Sequence, residues 1–290
     1  MKKLAVIVPG WHFGIQFFES IIAQHIPTGW EVDYFIIAHR MPEDKETIQE
    51  KEAIRNYNGD NALKIIDKDL YNRPVTVDEL TEAGWQFTLE ENGPGDSVFN
   101  QWRDRYTGDY DMYFIAHDDN YILSHDIFVD VLENKIDLYR LDTNTYNPKT
   151  RTCDHVLDTT RKEWIFLDNG WHHKRILPRI SFGFYTKELI DMMGGDMKFM
   201  FEDLMTRKGE KSSPNGIMGL NEWNIPAGRF FHFLEQNNLL DRMAYLSNTK
   251  RVSAYCLEGE RGYVSHTNAG GQERYLNHVI TQLKAIGLAQ

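Results

Sequence analysis

Three short polar segments each follow directly on an apolar run. Pro9-Gly10-Trp11-His12 follows residues 4–8, His39-Arg40 follows residues 32–38, and His117-Asp118-Asp119-Asn120 follows residues 112–116. Near-continuous apolar runs of this length suit strands buried on both faces of a parallel sheet. In an open sheet of that kind, ligands bind at the carboxyl ends of the strands. Two adjacent carboxylates leaving a buried strand are costly unless a cation or hydrogen-bond donors meet them. Oxygen ligands of this type suit Mg²⁺ or Mn²⁺, and those ions in turn bind phosphates. The same four residues, His117 to Asn120, are also turn formers, so a plain turn is the competing reading. Further along stand the paired acids Glu202-Asp203, and near the end His266 followed by Gly270-Gly271. A lone histidine is more often structural, but a Gly-Gly pair beside it suggests a close backbone approach.

The elements that must position these residues alternate in the first third. Strands are expected at residues 4–8, 32–38, 62–66 and 112–116. Helices are expected at 13–24, 44–57 and 96–106, the second ending at Asn58-Gly59. That β-α-β-α order implies a parallel sheet with helices on both faces. Beyond it, 126–134 reads as helix and 136–141 as strand, while 142–162 is polar and reads as a loop or hairpin. Residues 180–185 read as a strand, and Thr186 as the cap of a helix that Gly194-Gly195 stops. Residues 207–228 carry many Lys, Gly, Ser, Pro and Asn and read as a long mobile loop. Residues 230–245 read as helix, 252–257 and 263–266 as short strands, and 272–286 as an amphipathic helix.

Composition narrows the function classes. The chain has 290 residues, with 32 Lys+Arg against 43 Asp+Glu and a formal charge of −11. That balance argues against a broad nucleic-acid-binding surface. Two cysteines, Cys153 and Cys256, cannot form a disulfide framework, which points to a reducing, cytoplasmic setting. No apolar run approaches the ~20 residues of a transmembrane helix. The start, Met1-Lys2-Lys3 and a short β-branched run, reads as a buried first strand rather than a signal peptide. A Gly-x-Ser-x-Gly elbow is absent, as is a Gly-x-Gly-x-x-Gly fingerprint after the first strand. Cys153 has no evident base partner, and His172-His173-Lys174-Arg175 reads as a solvated loop.

Taken in order, these features resemble the family-2 glycosyltransferases with the GT-A fold. That family's pattern is a P-x-Y-N strand end, an acidic D-x-D after the fourth strand, a Gly-Gly to Glu-Asp segment and a late histidine. Here the matching stretches are Pro9 to His12, His117-Asp118-Asp119, Gly194-Gly195 with Phe199 to Asp203, and His266. The resemblance covers roughly Leu4 to His266 and rests on order and spacing, since no single motif is specific.

The resemblance implies an α/β fold: a GT-A-like, mixed and mostly parallel sheet flanked by helices, with a small C-terminal lobe. It divides the chain into a nucleotide-sugar half at 1–122, an acceptor-side half at 123–228 and a helical lobe at 229–290. It implies metal-dependent transfer of a sugar from a nucleoside diphosphate sugar to an acceptor hydroxyl, taken as a saccharide, with inversion. Pro9, Trp11, His12, His39, Asn100 and Asp118 would face the nucleotide, and Asp119 and His266 would hold Mn²⁺ or Mg²⁺. Trp11 and His12 replace the usual Tyr and Asn, and His117 replaces the first acid of the triplet. Asp203 would be the general base, because a sugar hydroxyl must lose its proton as it attacks, and Glu202 would orient the site. Two other readings stand beside this one: a glycosyltransferase acting on modified bases in viral DNA, and a non-catalytic nucleotide- or carbohydrate-binding protein on the same scaffold.

Overall fold

The computed structural model of the chain describes residues 1–10, 15–38, 76–89, 109–116, 120–122, 125–133, 138–150, 152–158, 166–168, 182–195, 197, 224–246 and 264–266. Its centre is the strand β1 (Lys2–Gly10), paired in parallel with β2 (Trp30–Ala38) on one side and β4 (Met112–Ala116) on the other. Residues 4 to 8 are all fully buried. Leu4, Val6 and Val8 enter one hydrophobic cluster, while Ala5 and Ile7 enter a second. Both faces of the strand are covered, so its sequence is apolar at every position instead of every other one. The same split holds in β4, where Phe114 and Ala116 join the first cluster and Tyr113 and Ile115 the second.

Helices supply the two covers. On the first face lie Phe18 and Ile21 of α1 (Ile15–Ile22), Leu80 of α2 (Val77–Glu82), and Ile127, Phe128, Val131 and Leu132 of α3 (Ile127–Leu132). On the second lie Leu189 and Ile190 of α4 (Lys187–Met192), with Phe230, Phe231 and Leu234 of α5 (Asn224–Gln236). The caps expected around α4 are present. The Thr186 hydroxyl accepts a hydrogen bond from the Leu189 N–H at 3.3 Å. Gly194 and Gly195 end the helix at φ 90° and 83°, a conformation that costs glycine little.

The remaining strands are β3 (Trp85–Leu89), β5 (Asn120–Ile122), β6 (Leu138–Asn147), β7 (Thr152–Asp158), β8 (Phe166–Asp168), β9 (Phe182–Thr186), β10 (Met243–Leu246) and β11 (Val264–His266). Nine strands form one sheet in the order β3-β2-β1-β4-β9-β8-β10-β6-β7, and β11 pairs with β5 separately. Following the pairings across, β9 and β6 alone run against the rest. This is the mixed, mostly parallel α/β sheet expected, with helices on both faces. It draws on all three stretches of the chain, since β10 lies between β8 and β6.

Several expectations differ from what is observed. Next to β2 lies β3, preceded by α2 with a Thr76–Glu79 capping box, where no element was anticipated. The polar stretch after residue 142, expected as a loop or hairpin, does hold a hairpin, β6–β7, with β6 beginning before it at Leu138. The helix expected over 230–245 ends at Gln236, and β10 follows. Residues 224–228, expected in the mobile loop, form the first turns of α5. Pro226 is tolerated there because first-turn N–H groups have no helical partner. The elements expected at 44–57, 62–66, 96–106, 252–257 and 272–286 lie outside the described residues, as does the loop over 207–223. Among the described residues no helix is long and apolar enough to cross a membrane.

Candidate active site at the carboxyl edge of the sheet

Register brings the strand ends that precede the three polar segments to one edge. The last pair of β1 and β2 is Gly10 with Ala38, and Ala38 in turn pairs with Leu89 at the end of β3. Ile7 pairs with Ile115, so Ala116 at the end of β4 stands level with Val8, two residues before the end of β1. Pro9 sits opposite Ile37, one residue from the end of β1. Trp11 and His12 continue from Gly10, His39 continues from Ala38, and Asp118 and Asp119 lie between Ala116 and Asn120. Trp11, His12, His39, Asp118 and Asp119 are outside the described residues, as are Asn100, Glu202 and Asp203. The strands that deliver the first five nevertheless end side by side.

His266 is placed. It lies in β11, and its register partner in β5 is Asn120. Asn120 is the residue bonded to Asp119. A residue 146 positions away in sequence is thereby paired with the chain neighbour of the acidic pair. Carboxylate oxygen with imidazole nitrogen is a donor set that suits Mn²⁺ well and Mg²⁺ less so. Among the described residues no group of three or more His, Cys, Asp or Glu is placed to hold a metal ion. Asp118 and Asp119 are not among those residues.

The same edge holds a residue that the sequence did not single out. Asp168 ends β8, paired with Gly183 of β9, and Gly183 pairs with Ile115. The available signal was an acid closing the short apolar run Trp164-Ile165-Phe166-Leu167, ahead of the turn formers Asn169-Gly170.

Among the described residues, the shifted ionisable groups lie elsewhere and serve the fold. Because β9 runs backwards, α4 starts at the amino edge, where Thr186 pairs with Met112. There the Arg242 guanidinium holds the Glu188 carboxyl below its ordinary range, and a hydrogen bond with Asp191 raises Lys187. Tyr110, which donates to Asp33 at 2.8 Å, is raised by burial and by that carboxylate. Burial, with the charges of Asp154 and Asp142, pushes the Cys153 thiol up to about 11. That is the opposite of what a nucleophilic cysteine needs.

No protein-family model matches the sequence, and no curated protein matches it. Similar solved structures include S. aureus TarS in complex with UDP, at 12% identity and TM-score 0.38, covering 98% of this chain and 65% of that one. A mannosyltransferase from Pyrobaculum calidifontis, in complex with GDP-Man and Mn²⁺, is similar at 14% identity and TM-score 0.32, over 66% of this chain and 46% of that one. The glycosyltransferase GlyE of Streptococcus pneumoniae is similar at 10% identity and TM-score 0.40, over 100% of this chain and 64% of that one. The chain thus spans less than two thirds of the length of these structures.

Proposed function

We propose that the protein transfers a sugar from a nucleoside diphosphate sugar to an acceptor hydroxyl, taken as a saccharide, with inversion. The observation that carries this reading is the pairing of His266 with Asn120, in the segment that follows β4, whose carboxyl end lies on the same edge of the sheet as those of β1 and β2. It supports one site built from the first strand end, the acidic pair and the late histidine. In that site Pro9, Trp11, His12, His39, Asn100 and Asp118 face the nucleotide and its ribose, and Asp119 and His266 would hold Mn²⁺ or Mg²⁺. Such an ion, when bound, offsets the charge gathering on the diphosphate. In the transfer step a lone pair of the acceptor oxygen forms the new bond to the anomeric carbon. The bond from that carbon to the diphosphate oxygen breaks, and its electron pair leaves with the diphosphate. Asp203 takes the acceptor's proton, and Glu202 orients the acceptor.

The test is a screen of UDP- and GDP-sugars for transfer and for hydrolysis, followed by two variants. Asp203→Asn keeps shape but cannot accept the proton, so donor binding stays normal and turnover falls by roughly 10²–10⁴. Asp119→Asn weakens donor binding as well as turnover, a contrast that separates proton transfer from diphosphate binding. Near-normal turnover in Asp203→Asn removes that residue from the mechanism. His117 in place of the first acid of the triplet favours a second reading, a binding protein without turnover. Tight donor binding with no product from any acceptor would select it.

A further inference from the structure

Three hydrogen bonds join the residues just past the end of α1 to the start of α3. The buried Gln24 Oε1 accepts from the Ile127 N–H at 3.1 Å. The His25 N–H donates to the His125 carbonyl at 2.7 Å. His25 Nδ1 lies 2.7 Å from Asp126 Oδ1, and an ionised carboxylate only accepts, so Nδ1 carries the hydrogen. The joint turns outward a group that a helix ordinarily uses on itself. Asp126 is the cap residue of α3, and a capping aspartate ordinarily accepts from an N–H of its own first turn. Here its carboxylate makes no cap bond and meets His25 instead. Gln24 is 4% exposed, and among the described residues the buried side chains around it are nearly all apolar. A buried polar group whose hydrogen bond is made rigidifies its surroundings and selects one arrangement of them.

What the joint fixes is the far end of the run that leaves β4. That strand is held on both sides, by β1 and β9, up to Ala116. The joint begins again at His125. Between them lie Asp118 and Asp119, followed by β5. β5 pairs with β11, which carries His266, and each of the two strands has three residues. A two-stranded sheet that small is marginal by itself, so its support comes from outside. α1 packs against β5, follows Trp11 and His12 in the chain, and is joined to α3 at its end. From these placements we infer that Gln24 and His25 are positioning residues, which hold β5 against α1 and so set where Asp119 and His266 stand relative to each other. The inference rests on the transferase reading and deepens it. Neither residue is asked to touch a ligand. Two metal ligands from distant parts of the chain bind an ion better when the segments that carry them are fixed beforehand.

The experiment uses the full chain, with UDP and Mn²⁺ as probes. Gln24→Met removes the buried acceptor and keeps the volume. His25→Ala removes the donor at a side chain 68% exposed, so it leaves the core closed and the fold intact. His25→Asn restores an N–H near the place of Nδ1. Hydrogen exchange is the first readout. The amides of β5 and β11 should exchange roughly 3- to 10-fold faster in Gln24→Met and His25→Ala, with those of β1 and β9 unchanged. Calorimetry is the second. The gain in UDP affinity that Mn²⁺ confers should shrink by roughly 3- to 10-fold, the usual worth of one such hydrogen bond, while UDP affinity without metal stays at the wild-type value. His25→Asn should return both readouts to near wild type. Unchanged exchange in β5 and β11 overturns this inference alone. A lowered Tm with the wild-type gain from Mn²⁺ overturns it too, since the joint then serves only the fold. An equal loss of UDP affinity with and without metal does the same. A wild-type chain whose UDP affinity does not respond to Mn²⁺ overturns the metal site of the transferase reading, and this inference with it.

Discussion

The Glu188 carboxylate accepts from both terminal nitrogens of Arg242, each at 3.0 Å, and so ties the first turn of α4 to the short turn leading into β10. Two parallel bonds of this kind fix geometry as well as energy. The pair is partly exposed, Glu188 at 57% and Arg242 at 23%, so solvent screens it and its worth is at most about 1 kcal/mol. The sign of its pH dependence follows from the guanidinium. Arg242 holds the folded-state pKa of Glu188 below its ordinary 4.5. A depressed carboxylate contributes its full stability above the unfolded-state pKa and loses it as pH falls through the folded-state pKa. Arg242→Met keeps most of the apolar stem and removes the charge. Urea denaturation should show a deficit at pH 7 that has largely gone by pH 3. An equal deficit at both pH values would mean that packing, not the ion pair, carries the contact.

Helix α3 is short, with its Asp126 cap residue making no side-chain cap bond, so packing must hold it. Phe128 supplies much of that packing. Its ring lies 5.2 Å from Phe114 of β4 and 6.0 Å from Phe184 of β9, both close to edge-on, and the side chain is fully buried. Phe128→Ala should cost about 3–5 kcal/mol, measured by chemical denaturation, and a loss under 1 kcal/mol would show that the face repacks. What was legible in the sequence follows the same logic. Strands β1 and β4 could be read because both faces are buried, and α4 because its cap and stop are local. The β10 segment misled because Leu239, Leu240, Met243 and Ala244 recur at helical spacing. Asn238, at φ 56°, turns the chain before them. Strands β5 and β8 have three residues each, too few to show a period, and their partners define them. Of the candidate site, the long strands that lead into it were legible. Asp168 was not, because its place at that edge depends on β8 lying beside β9, a neighbour relation set by tertiary pairing.

At the scale of the molecule, the sheet is a frame whose carboxyl edge joins the ends of β1, β2 and β3 at one level, with β4 ending two residues before them and β5, next in the chain, paired with β11. A ligand held there binds the folded state alone, since no part of the unfolded chain gathers those strand ends. Folding and binding are then linked, and occupancy at about 100 times Kd adds about 2.7 kcal/mol to stability. For a chain of this size that corresponds to a rise in Tm of about 5 °C or more. The full chain should show that rise with a nucleoside diphosphate sugar and Mn²⁺ together, and much less with either alone. Asp119→Ala should melt at the wild-type temperature without ligand, because the residue follows the end of β4 and leaves the apolar register of that strand intact. The same variant should show no shift with donor and Mn²⁺. A full shift in Asp119→Ala would remove the acidic pair from the binding edge. A lowered melting temperature without ligand would make Asp119 a structural residue, and the donor's diphosphate would then have to be sought at the ends of β1 and β2, among Trp11, His12 and His39.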